Sequence, residues 1–114
     1  MPYIKTTTSA KLTDSDKQIL KDKLGELIAL FPGKSEQWLM IAINDGVSMA
    51  FRGDMTTPCA MIEIDIFGTA SKSTYDNVTR AVCEAVSEII KVDADHIYVK
   101  YGECDKWGYD GFNF

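Results

Sequence analysis

The sequence predicts an α/β fold: two βαβ repeats forming a four-stranded mixed sheet with two helices on one face. Three observations predict it. A strand–helix–strand pattern occurs twice, once in each half of the 114-residue chain. Each segment read as a helix repeats its apolar residues at helical spacing, whereas the flanking segments are short, apolar or alternating. Finally, two βαβ units with right-handed crossovers place both helices on the same side of one sheet.

The first strand is "PYIKTTT", an alternating stretch rich in β-formers that begins at Pro2. The segment "LTDSDKQILKDKLGELIALFPGK" then carries helix signals at both ends. Thr13 followed by Asp16 resembles a capping box, and acidic residues crowd the first turn, where the helix dipole favours them. Ile19, Leu20, Leu24, Leu27, Ile28 and Phe31 form its apolar stripe, and Pro32-Gly33 stops it. "QWLMIAIN" is a nearly continuous apolar run too short for a helix, so it reads as a strand buried on both faces. Asp45-Gly46 marks a turn, after which "VSMAF" reads as a short return strand.

The second half starts at "PCAMIEIDIF", where Met61, Glu63 and Asp65 alternate with Ile62, Ile64 and Ile66 until Gly68. Ser71 to Lys91 follow as a helix whose stripe is Val78, Ala81, Val82, Ala85, Val86, Ile89 and Ile90. "HIYVKY" is the matching strand. Two helices on one face leave the other face of the sheet bare, with charged and apolar side chains mixed along "EIDIF". A chain this short buries only about two-thirds of its unfolded surface, so a second copy covering that face completes the core. An oligomer is therefore expected.

Composition narrows the function. The length supports one domain, residues 1–114. The net charge of −5 and the lack of a basic stripe disfavour nucleic acid as a partner. No apolar run is long enough to span a bilayer and no cationic leader precedes one, so a cytoplasmic protein with no membrane partner is expected. Cys59, Cys83 and Cys104 are an odd, scattered set beside a single histidine, His96. They suggest neither a disulfide framework nor a zinc site, and no metal or cofactor is implied. His96 itself reads as a surface residue at a strand end.

Pro2 has a chemical consequence. If Met1 is removed, the nitrogen of Pro2 becomes a free secondary amine at the end of a strand. A terminal amine titrates near neutrality, at about 7.7–8.0, and apolar surroundings or nearby cations lower that value further. Such a group suits general-base removal of a proton from carbon beside a carbonyl.

Taken in order, "MPYI", "PGKSEQW", "MAFRGDMTTPCAM", "DHIYVKY" and "WGYDGFNF" resemble the macrophage migration inhibitory factor family of tautomerases along essentially the whole chain. The resemblance implies a homotrimer with sites at subunit boundaries. It also implies cofactor-independent keto–enol tautomerisation of phenylpyruvate-like 2-keto acids, with Pro2 as the base after Met1 removal. By position, Lys34 matches the lysine that contacts the substrate carboxylate, and Tyr98 an aromatic wall from the neighbouring subunit. Trp38 stands where the family usually has tyrosine, and Trp107 and Tyr109 fall in the carboxy-terminal aromatic wall.

This chain departs from the mammalian members at Asp65, Phe67 and Lys100, which stand in place of histidine, isoleucine and asparagine. Phe67 keeps an apolar wall but narrows it. Lys100 either adds a second cation near Pro2 or pairs with an acid such as Asp65 or Glu63. Cys59 aligns with a family cysteine, but Ile62 replaces the second cysteine of the mammalian C-x-x-C, which argues against thiol–disulfide chemistry there. The alternative role implied by the resemblance is a cytokine-like or host-modulating signal, released without a signal peptide and acting on a host receptor.

Overall fold

The computed structural model describes residues 1–114. Its elements follow the chain as β1 (Pro2–Thr8), α1 (Asp14–Leu27), β2 (Met40–Asn44), β3 (Ala60–Phe67), α2 (Lys72–Ile90) and β4 (Ile97–Cys104). A small hairpin, β5 (Gly108–Tyr109) and β6 (Phe112–Asn113), closes it. The main sheet has the order β2-β1-β3-β4. Within each half the crossover through a helix makes the two strands parallel, β1 with β2 and β3 with β4. The halves then join along β1 and β3, antiparallel, with Pro2 opposite Ile66. That register places the start of the chain in the middle of the sheet, at the end where β3 finishes.

Period-two alternation decides which side chains meet the helices. Ile4, Ile62, Ile64 and Ile66 point to the helical side and are at most 1% exposed. They pack against Leu20, Leu24, Ile28 and Phe31 from the first helical region, and against Val78, Val82, Val86 and Ile90 from α2. Burying each such side chain contributes about 1.5–3 kcal/mol, so this layer is the main source of stability. Ile19, placed on the α1 stripe by its spacing, instead faces water.

Both helices are capped as their sequences indicate. Asp16 N–H donates to Thr13 Oγ1 at 3.0 Å and Thr13 N–H to Asp16 Oδ2 at 3.1 Å, a reciprocal box. Ser71 caps α2 by accepting from Thr74 N–H at 3.2 Å. Lys91 ends that helix in the left-handed region, at φ 58°.

Four local expectations are corrected. The first helix does not run to Pro32; its last turn tightens to a 3₁₀ turn at Ile28–Leu30, which brings Phe31 under the sheet. "QWLMIAIN" is not buried on both faces. Gln37 and Trp38 lie in a 3₁₀ turn (Glu36–Trp38), and β2 is an edge strand whose Met40 is 70% exposed. An apolar run looks the same whether its own chain covers it or leaves it at an edge. "VSMAF" forms no return strand. Gly46 and Val47 N–H donate to the carbonyls of Ala10 and Thr8, so the segment follows the exit of β1. Only Phe51 and Asp54 pair, around a tight turn with positive φ at Arg52 and Gly53. His96 is not fully exposed. Its ring packs on Phe51 with centroids 5.3 Å apart, and Nδ1 lies 2.7 Å from Asp95 Oδ1.

Candidate active site

The start of β1 opens onto a cleft of about 520 Å³, walled by Pro2, Trp38, Met40, Trp107 and Tyr109 with Met1 at its mouth. The aromatic walls come from two distant parts of the chain. Trp38 is supplied by the 3₁₀ turn that leads into β2, while Trp107 and Tyr109 come from the terminal hairpin. The rings of Trp38 and Tyr109 meet edge to face at 5.5 Å. Positive φ at Asp110 and Gly111 lets the two hairpin strands reverse in a tight loop, which turns the tail back over the cleft. Phe114 then packs beside Phe67 at 5.9 Å and stacks near-parallel to Tyr109 at 6.3 Å.

Polar groups converge on the chain start from one residue, Phe67, and one side chain, Lys34. Phe67 N–H donates to the Met1 carbonyl at 2.9 Å. On the other side of the same residue, Lys34 Nζ donates to the Phe67 carbonyl at 2.9 Å. Lys34 is held in place by its own turn: Lys34 N–H donates to the carbonyl of Phe31, a fully buried anchor, and Gly33 takes φ 78° between them. The terminal amine feels both features. Burial, first, and then the charge and hydrogen bonding of Lys34 hold it below the ordinary value for such an amine.

With Met1 in place, the Pro2 nitrogen is a tertiary amide with no basicity. Removing Met1 moves the amine one residue along, to a nitrogen that is more deeply placed. It also leaves Phe67 N–H without its acceptor. The vacated carbonyl position lies within about 2.3 Å of the Pro2 nitrogen by covalent geometry. A substrate oxygen cannot come that close without a covalent bond, but one drawn back to hydrogen-bonding distance of the amine, about 2.7–3.2 Å, would still lie near the Phe67 N–H, with Lys34 close by.

The structure thus brings Pro2, Trp38 and Trp107 onto one cleft and links Lys34 and Phe67 to it through the backbone. Within a single chain it does not bring Tyr98 or Lys100 there. Phe67 lies opposite Cys104, whereas Tyr98 lies opposite Met61, six residues or about 20 Å back along β4. Tyr98 is 58% exposed and touches Phe51. Lys100 Nζ is 3.7 Å from Glu63 Oε1, and Glu63 Oε2 is 4.0 Å from Lys5 Nζ. Of the two alternatives open for Lys100, the single chain adopts the acid pair. Asp65 lies over Gly102, its partner in the strand register.

Sequence reasoning missed the Phe67 N–H, because a backbone donor has no sequence signature. It also missed the terminal hairpin, although Asp110-Gly111 between aromatic residues is a hairpin signal of the kind used for Asp45-Gly46. Away from the cleft, Asp93, Asp95 and His96 hold ligand-type atoms within 4.8 Å of one another, in a solvent-facing turn.

The sequence matches the family model for macrophage migration inhibitory factor over residues 1–113. The chain belongs to this family. A curated member from Brugia malayi, described as a macrophage migration inhibitory factor homolog, is 22% identical, with 100% of this chain and 99% of that protein covered. The crystal structure of Leishmania major MIF2 superposes with a TM-score of 0.92 at 27% identity, covering 100% of this chain and 97% of that one. A more distant structure, Pt0534 inactivated by 2-oxo-3-pentynoate, shares the fold with a TM-score of 0.80 at 13% identity, covering 90% of this chain and 85% of that one. Membership carries a macrophage migration inhibitory factor-like function within the tautomerase superfamily. No helix is long and apolar enough to cross a membrane.

Proposed function

We propose that this protein is a cofactor-independent keto–enol tautomerase of phenylpyruvate-like 2-keto acids, with Pro2 as the general base once Met1 is removed. The observation that carries this reading is the chain start itself: a partly buried amine beside Lys34, next to a Phe67 N–H whose present acceptor leaves with Met1. Burial and the neighbouring ammonium both favour the neutral amine, the form a base needs.

In the reaction, neutral Pro2 takes a proton from C3 of the 2-keto acid. The C–H electron pair becomes the C2=C3 double bond, and the carbonyl oxygen gains negative charge. The proton held on Pro2 is then passed to that oxygen, giving the enol; the reverse sequence regenerates the ketone. Phe67 N–H and Lys34 offset charge on the substrate's oxygens, the electrostatic part of catalysis. Trp38, Trp107 and Phe67 supply the apolar walls for an aryl group.

The same reading makes the active form a homotrimer. The face of the sheet away from the helices and the exposed β2 edge are surfaces a neighbouring copy would cover. In such an assembly Tyr98 and Lys100 reach the cleft of an adjacent subunit, a place their own chain does not offer them.

The test begins with protein whose intact mass shows loss of Met1. Phenylpyruvate interconversion is followed by ultraviolet absorbance for wild type and Pro2→Gly. A loss of about 10²–10⁴ in kcat/KM is expected, the usual contribution of a general base. Equal rates would remove Pro2 from the mechanism. A second measurement uses 2-oxo-3-pentynoate as a probe. Conjugate addition of a neutral amine should add its mass to the first residue alone, and a label elsewhere would count against the reading.

A further inference from the structure

Pro2, Ile66 and Glu103 occupy one row across β1, β3 and β4. Glu103 is thus two strands, or about 9.6 Å, from the base, on the same face of the sheet. Its carboxylate is engaged twice. Tyr75 Oη donates to Oε2 at 2.6 Å, and Ala70 N–H donates to the same oxygen at 3.2 Å. Both donors belong to the stretch that leaves β3 and enters α2, directly after Phe67.

The partners of Tyr75 carry the connection onward. Its ring packs edge to face on Phe31 at 5.7 Å and lies 4.5 Å from Tyr101. Phe31 is the buried anchor whose carbonyl accepts from Lys34 N–H. A second link runs through the backbone, where Gly68 N–H donates to the Cys104 carbonyl at 2.9 Å and pins the residue after Phe67. Glu103 is thus linked through Tyr75 and Phe31 to the turn that carries Lys34, and through Ala70 to the stretch that follows Phe67, whose next residue is pinned separately by the Cys104 carbonyl.

We infer that Glu103, acting through Tyr75 and Ala70, is a positioning residue that keeps Lys34 and the Phe67 peptide aimed at the chain-start amine. This deepens the tautomerase reading and rests on it for its catalytic consequence. It assigns Glu103 no contact with substrate. Burial and the adjacent carboxylate push the Tyr75 hydroxyl up to about 12, so it remains a donor throughout the working range.

The sign of the effect separates positioning from simple charge. The charged groups at this end of the sheet include Lys34, Asp65 opposite Tyr3, Glu103 itself, the Asp105–Lys106 pair just after β4, and the terminal carboxylate of Phe114, whose ring packs on Phe67. A negative charge nearby favours a protonated amine, so direct loss of the Glu103 charge would lower the amine's pKa. Loss of positioning does the reverse: Lys34 swings away, its depression of the amine relaxes, and the pKa rises.

The experiment titrates the chain-start amine by NMR in protein labelled with nitrogen-15 at that residue, for wild type, Glu103→Ala, Glu103→Gln, Lys34→Met and the Glu103→Ala/Lys34→Met pair. In parallel, kcat/KM is measured on phenylpyruvate, and thermal melts establish that each variant is folded. Positioning predicts a raised amine pKa and a loss of about ten-fold in kcat/KM for Glu103→Ala, from misplacement of a group outside the reacting centre. It predicts near-wild-type behaviour for Glu103→Gln, whose carbonyl accepts both hydrogen bonds. The double variant should match Lys34→Met alone. An unchanged or lowered amine pKa in Glu103→Ala overturns the proposal, as do additive effects in the double variant or a Gln variant as impaired as Ala. If wild type fails to tautomerise phenylpyruvate, the proposed function falls, while the amine titration still decides the positioning role.

Discussion

Lys34→Met retains most of the side-chain volume and removes only the ammonium group, so it isolates what that charge does. Two interactions are lost. The Phe67 carbonyl gives up a 2.9 Å hydrogen bond, and the chain-start amine gives up a cation that opposed its protonation. For stability the change is small, about 1 kcal/mol or less, because the bond is only partly buried. For catalysis it is not small. Removing one donor that stabilises developing charge costs about 10²–10³ in kcat, or about 2.7–4 kcal/mol. A plateau loss of about 10² in kcat/KM is expected where the amine is neutral in both proteins.

The second loss depends on pH, and its sign follows from the chemistry. The base works only when neutral, so activity rises with pH through the amine's pKa. A cation beside the amine lowers that pKa, as Lys34 does for the Met1 amine, so its removal should raise the pKa and extend the inactive range upward. The ratio of wild-type to variant kcat/KM should therefore be largest on the acid side and fall to the plateau as pH rises. The assay is phenylpyruvate tautomerisation across about pH 5–9. A ratio that does not change with pH would mean that Lys34 leaves the amine untouched, and a ratio that grows with pH would refute the reasoning outright.

Three further outcomes test the scaffold and the assembly. Thr6 is fully buried on the helical face of β1 and its Oγ1 has no hydrogen-bond partner, so Thr6→Val should stabilise the protein by about 1 kcal/mol. Urea titration reads this as a higher midpoint with an unchanged slope, and a lower midpoint would show that the hydroxyl is satisfied. Light scattering should give about 38 kDa, three copies of a 12.7 kDa chain. Met40→Asp, at the exposed start of β2, should shift the mass toward the monomer, and an unchanged mass would place the contact elsewhere.

Much of the scaffold was legible because it depends on local chemistry. Thr13 and Asp16 form the box that their spacing implied, and the alternation along "AMIEIDIF" put its isoleucines in the core. The errors have a common origin. "QWLMIAIN" and "VSMAF" are apolar or β-prone segments whose state depends on what lies beside them, and their neighbours are distant in sequence. The site was readable only in part. Pro2 and Lys34 could be named by resemblance, but the Phe67 N–H and the linkage of Glu103 to Lys34 arise from strand register, which no side-chain pattern specifies.

What the sequence by itself determined was the set of groups available: a proline one residue from the start, a lysine after a helix-ending Pro-Gly turn, and aromatic residues near both Trp38 and the terminus. Periodicity also determined the two repeats, since helical and extended segments hide different faces. Only the tertiary structure decided which groups act together. Pairing β1 with β3 in the register Pro2–Ile66 sets the chain start beside Phe67, and the Phe31 turn carries Lys34 to the same point. That register is fixed by burial: a one-residue slip would turn Ile62, Ile64 and Ile66 to the open face and bring Glu63 and Asp65 into the core.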